Sequence, residues 1–164
     1  MVQSSTGSPL DPLDQAILEE LQANARISNA ELARRVSLSP PAVHARIRRL
    51  EKQGFIRRYT ALLDRETMGY DMLCFVHVSL RTHGPKQVEQ FRQAVQAMPE
   101  VLECYHVTGE FDYLLKVVIR NRGDLERFII KRLTPAPGIG RIHTSLVLSA
   151  IKETTRLPVR APDA

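Results

Sequence analysis

The chain has 164 residues, 43% of them hydrophobic and 25% charged, with a net charge of +5. This is enough apolar material to pack one ordinary domain or two small ones. Two cysteines with no CxxC spacing exclude a secreted disulfide framework, and no apolar run approaches the ~18 residues of a membrane helix.

Residues 1–9, MVQSSTGSP, have neither a basic region nor an apolar stretch. They are expected to be a disordered lead-in, not a signal peptide, which together with the reduced cysteines places the protein in the cytoplasm. The first helix is expected in DPLDQAILEELQAN. Asp11 can cap it, and Pro12 suits the first position because its missing N–H would be unpaired there anyway. Leu13, Ile17, Leu18 and Leu21 then form one apolar stripe.

A second helix is expected from SNAE, where Ser28 and Glu31 spell a capping box, with Leu32, Ala33 and Val36 turned inward. Ser39 caps a third helix, Pro40 takes its first position and Gly54 ends it. Three short helices with a tight turn between the second and third are a helix-turn-helix pattern. FIRRYTALLD is expected to add one or two short strands, a wing or linker, and RETMGYD to close it.

From Met72 the hydrophobic period changes from helical to two. MLCFVHVSLR predicts a strand. GPKQVEQFRQAVQAM predicts a helix with Val88, Phe91, Val95 and Met98 on one side. VLECYHVTGEFDYLLKVVIRN predicts two strands around a turn near Gly109. GDLERFIIKRL predicts a second helix with Leu125, Phe128, Ile129 and Leu133 inward, and GRIHTSLVLSAI a last strand. The order β-α-β-β-α-β folds as a four-stranded antiparallel sheet with both helices on one face, an α+β, ferredoxin-like arrangement. The chain therefore divides into a tail (1–9), a DNA-binding domain (10–58), a linker (59–71), a sheet domain (72–151) and a C-terminal tail (152–164).

Charge is distributed unevenly across these parts. Arg34 to Arg58 holds eight basic residues (Arg34, Arg35, Arg46, Arg48, Arg49, Lys52, Arg57, Arg58) against Glu51 alone, whereas the rest of the chain has 15 basic and 17 acidic residues. Such a block on a near-neutral chain predicts one polyanion-binding surface. On a helical wheel, Val43, Ile47 and Leu50 share the inward face of the third helix. Pro41, Ala45, Arg48, Arg49 and Lys52 lie opposite, with His44 and Arg46 at the flanks. A major groove admits a helix of this kind, and the small residues Pro41, Ala42 and Ala45 permit close approach near its start. The expected DNA contacts are Ser39, Pro41, Ala42, His44, Ala45, Arg46, Arg48, Arg49, Lys52, Arg57 and Arg58, with Arg34 and Arg35 as further phosphate contacts. A merely solvated charged face is the plainer alternative.

In the sheet domain both faces of the first and third strands are apolar, so a second copy is the expected cover, giving a two-fold dimer. His77, His106, His143 and Cys104 lie on three strands without zinc-ligand spacing, and a half-polar interface is the simpler account of them. In TGEFDYLLK, Gly109 permits a tight turn, and Glu110 and Asp112 place carboxylates beside exposed backbone groups. Such a corner suits a zwitterion, and equally suits a plain hairpin turn.

Four stretches, LDQAILEELQANARISNAELARRV, LSPPAVHARIRRLEKQGFIRRYTALLD, VTGEFDYLLKV and IKETTRLPV, resemble the Lrp/AsnC family of transcriptional regulators over about residues 10–158. PPAVHAR departs from the usual family pattern at the recognition helix. The resemblance implies a winged helix-turn-helix joined to a ligand-sensing, oligomerising domain. It implies dimers that assemble into tetramers or octamers and wrap double-stranded DNA. It also implies an amino-acid effector, with no other cofactor, at Thr108, Gly109, Glu110 and Asp112, with Thr144 nearby. Two rivals differ in class: an architectural DNA-wrapping protein without an effector, and an enzyme on the sheet scaffold. No catalytic triad order, phosphate loop or dinucleotide fingerprint supports the enzyme.

Overall fold

The computed structural model describes residues 10–159; the expected lead-in at 1–9 lies outside them, as does the end of the C-terminal tail. The described chain forms two units, residues 10–61 with 153–159, and residues 62–152.

The helical unit holds α1 (Pro12–Ala23), α2 (Asn29–Arg35) and α3 (Pro40–Lys52). Each start follows its capping sequence. Asp11 Oδ1 accepts from the Asp14 N–H at 2.8 Å, Ser28 Oγ from Glu31 at 3.2 Å, and Ser39 Oγ from Ala42 at 3.4 Å. The capping box of α2 is only half made. The Glu31 carboxylate does not reach back to Ser28 but pairs with Arg34 and Arg35, because two guanidiniums one turn on compete for it. Gly54 follows α3 at φ +80°, a left-handed position that glycine takes without strain. Ile17, Leu32, Ala33, Val36, Val43 and Leu50 are the buried core of the three helices. The C-terminal stretch returns to this unit: Leu157 donates its N–H to Gln22 Oε1 at 2.7 Å and accepts from Gln22 Nε2 at 3.0 Å.

The short strands expected after Gly54 are not formed. Between Lys52 and Met72 the described chain contains turns and extended backbone but no paired strand. A strand exists only against a neighbour, and among the described residues the only paired strands are the four of the sheet.

The sheet unit has β1 (Met72–Leu80), α4 (Pro85–Gln96), β2 (Val101–His106), β3 (Tyr113–Ile119), α5 (Arg122–Arg127) and β4 (Ile139–Leu146). The sheet order is β2-β3-β1-β4, and every pairing is antiparallel. Cys74, Val76, Val78, Leu80, Tyr113, Leu115 and Val117 point from the sheet into one core with Phe91 and Val95 of α4 and with Phe128 and Leu133. The sequence left both faces apolar; the helices cover the one that carries Cys74, Val76 and Val78. One element differs from expectation. Helix α5 does not continue as an α-helix but widens at Phe128–Leu133 into a π turn, with i→i+5 bonding.

Candidate nucleic-acid interface and effector turn

Helix α3 is bound to its unit through Val43 and Leu50 and through an ion-pair network. Asp14, on α1, is the one buried charged residue among the described residues, 3% exposed. It accepts from Arg46 Nη1 at 2.8 Å and also pairs with Arg49. Arg46 Nη1 bonds Asp11 as well, at 2.6 Å. The Arg46 guanidinium holds the Asp11 carboxyl below the usual carboxylate range, helped by the Asp14 N–H. The two acids in turn raise the arginine further.

This network sorts the expected DNA contacts. Arg46 is turned toward α1 with a quarter of its side chain exposed, and its guanidinium is paired with both Asp11 and Asp14. Arg49 is about half exposed while paired with Asp14. Ser39, Pro41, His44, Ala45, Arg48 and Lys52 are exposed, Ala42 is half-buried, and Arg57 and Arg58 are exposed just beyond the helix. Arg48, Lys52, Arg57 and Arg58 form no ion pair among the described residues. His44 Nδ1 lies 3.4 Å from Asn29 Nδ2. Arg34 and Arg35 pair with Glu31, and Arg35 also pairs with Glu20. The surface left uncompensated is thus narrower than the basic count suggests.

In the sheet unit the turn between β2 and β3 is fastened on both sides. Gly109 adopts φ +118°, and the Asp112 N–H donates to Val78 O at 3.0 Å. Asp112 Oδ2 accepts from the Leu80 N–H at 2.7 Å, and Oδ1 lies 2.9 Å from His83 Nε2. Desolvation works to raise the Asp112 pKa, but the Leu80 N–H and His83 outweigh it and leave it below the usual value. Glu110 pairs with Arg141 at the start of β4, whose guanidinium lies 4.6 Å from the Phe111 ring centre. The N–H groups of Thr108, Gly109, Glu110 and Phe111 find no protein acceptor among the described residues. The structure brings Thr108, Gly109, Glu110 and Asp112 together. Thr144 pairs with Val76 and so shares the helix-covered side of the sheet. His83, Arg141 and the Leu80 N–H escaped the sequence reading because they reach the turn from 29 to 32 residues away.

His77 pairs with His143 across β1 and β4, their ring centres 5.9 Å apart, whereas His106 stacks on Tyr113. Among the described residues, no cluster of three or more His, Cys, Asp or Glu is placed to hold a metal ion. No described helix is long and apolar enough to cross a membrane.

A capped three-helix unit with an exposed basic helix, joined to a separate β-α-β-β-α-β unit, defines a DNA-binding regulator with a sensing domain. Residues 10–57 match the winged helix-turn-helix DNA-binding family, and residues 73–157 match the Lrp/AsnC ligand binding domain. The leucine-responsive regulatory protein of Escherichia coli K12 is 42% identical over 154 residues, 94% of each chain. A Neisseria meningitidis transcriptional regulator solved as an L-Met complex superposes with a TM-score of 0.89 at 39% identity, covering 92% of this chain and 97% of that one. E. coli AsnC superposes at 0.83 and 29% identity, covering 89% and 97%. The chain belongs to the Lrp/AsnC family of DNA-binding transcriptional regulators, which are not enzymes.

Proposed function

We propose that this regulator reads double-stranded operator DNA in the cytoplasm through the exposed side of α3, and that a free amino acid is the signal that changes its binding. The observation that carries the DNA reading is the set of cations without acid partners, Arg48, Lys52, Arg57 and Arg58, on and just beyond a helix clamped to its neighbours by Asp14. Phosphate neutralisation by such groups supplies most of the affinity and makes it fall steeply with salt. Ser39, Pro41, Ala42, His44 and Ala45 line the start of the helix, where base edges are reached.

The effector reading rests on the β2–β3 turn. Four consecutive N–H groups without acceptors suit a carboxylate, and Glu110 and Asp112 suit an ammonium group. The meningococcal relative crystallised with L-Met agrees with this ligand class. A second copy laid on the uncovered sheet face, where Phe75, His77 and Leu114 are half-buried, completes a homodimer, the unit from which tetramers or octamers assemble. The effector acts by favouring one assembly, and so one spacing of the recognition helices.

The test is a thermal melt of the full chain against each of the twenty amino acids. Ligand at about 100 times its dissociation constant adds roughly 2.7 kcal/mol, a shift of several degrees. A shift confined to one side-chain class names the effector. No shift with any amino acid sinks the effector reading and leaves a DNA-wrapping protein without one.

A further inference from the structure

A second concave site lies in the sheet unit, away from the β2–β3 turn. It is a cleft of about 420 Å³ between the end of β3, the α5 helix with its π turn, the Pro99–Glu100 corner and Tyr70. That is the size of an ordinary small-ligand site. Val118, Ile119 and Phe128 give it an apolar lining, and Tyr70 an aromatic one.

Its charges do not balance. Four cations line it, Arg120, Arg127, Lys131 and Arg132, against Glu100 and Asp124. Arg127 is paired with Asp124, and Arg132 Nη1 with Glu100 Oε1 at 2.8 Å. Arg120 has no acid partner among the described residues and lies 5.5 Å from the Tyr70 ring centre. Lys131 has none either. Two positive charges are thus left over at one cleft.

The π turn contributes Lys131 and Arg132, next to Arg127. In a regular α-helix, residues five apart point roughly 140° away from each other. An i→i+5 turn brings Arg127 and Arg132 into line, and Lys131, four residues on from Arg127, faces the cleft with them. Such turns are rare and recur at functional sites. Beside the cleft, the buried Oε2 of Glu100 has no hydrogen-bond donor among the described residues.

We propose that this cleft binds a small organic phosphate, with a nucleoside monophosphate as the size that fits. The phosphate carries about −1.5 to −2 at pH 7, which matches Arg120 and Lys131. The organic part of the ligand lies along Tyr70 and Val118. A zwitterionic amino acid has no net charge and leaves both cations uncompensated, so this site and the proposed effector turn take different ligands.

The test is calorimetric titration of the full chain with adenosine monophosphate, glucose 6-phosphate, inorganic phosphate and leucine. Saturable binding of an organic phosphate, tighter than that of inorganic phosphate, is expected. Arg120→Ala with Lys131→Ala is expected to weaken it at least about tenfold, with the DNA affinity and the response to amino acids unchanged. Should that variant melt lower than wild type, Lys131→Gln alone carries the same comparison with a loss of about threefold. Four results overturn the proposal: no saturable binding of either organic phosphate, equal binding of inorganic phosphate, full binding by the variants, or loss of DNA affinity in the double variant. The last would make the cleft a DNA backbone contact.

Discussion

Asp14 and Arg46 meet at 2.8 Å across the packing of α1 on α3, and the acid's side chain is only 4% exposed. With Arg49 on its other oxygen, this carboxylate balances two guanidiniums from the helix that carries the DNA-binding face. The pair joins stability to function, because the angle of α3 to its neighbours is held where the charges are read.

Replacing Asp14 by Ala is therefore expected to lower the unfolding free energy by about 2–4 kcal/mol, as arginines packed against α1 lose their acid. Urea melts measure this. A double-mutant cycle with Arg46→Ala should show coupling above about 0.5 kcal/mol, the signature of contact rather than of two separate effects. Additive losses would mean that the pair contributes nothing.

Arg48 and Arg46, two residues apart, are expected to behave oppositely. Arg48→Ala should leave the melt unchanged, weaken DNA binding and reduce the slope of affinity against log salt by about one. Arg46→Ala should lower the melt and leave the salt slope nearly unchanged at temperatures where the variant is folded. Binding isotherms at several salt concentrations separate the two.

The depressed Asp11 carboxyl gives a pH prediction. Its folded value lies below the unfolded one of about 3.9, so its stabilisation is complete above that value and is lost as pH falls through the folded value. Asp11→Asn keeps a capping oxygen but removes the charge. It should be less stable than wild type at pH 7 and lose less stability between about pH 5 and 2. Equal acid slopes in chemical denaturation would deny Asp11 this role.

At the β2–β3 turn, Asp112→Asn keeps an acceptor for the Leu80 N–H while removing the charge offered to an ammonium group. The response to the amino acid found by thermal melting should disappear, while dimerisation by light scattering and basal DNA affinity persist. A variant that responds like wild type would place the effector elsewhere.

Local chemistry made much of this legible in the sequence. Asp11, Ser28 and Ser39 cap the three helices where their spelling placed them, and the period-two runs of β1 and β3 form strands. Interactions that depend on distant residues were not legible. Nothing in α3 announces that Asp14 will take Arg46 and Arg49, so every cation there read as available. His83 carried no sign that it would meet Asp112. The strands expected after Gly54 failed for a related reason: residues 55–64 have strand-like composition, but pairing is a property of two segments, and one alone cannot supply it. Nor did hydrophobic spacing distinguish the π turn from α-helix, because Leu125, Ile129 and Leu133 follow one another at four-residue steps that an α-helix also places on one face.

That turn makes the length of the helix a variable. Six residues span an interval that tighter winding would close with fewer, so one residue of Phe128–Leu133 is in effect a spare. Removing Ile130, which is 58% exposed, would allow α-helical winding to resume while sparing the buried Phe128 and Leu133. Phe128 and Leu133 would then stand four apart, the spacing that keeps two residues on one face of an α-helix, so the residues beyond the deletion would hold their facing. The fold would survive a deletion that a rigid helix-to-core register usually forbids.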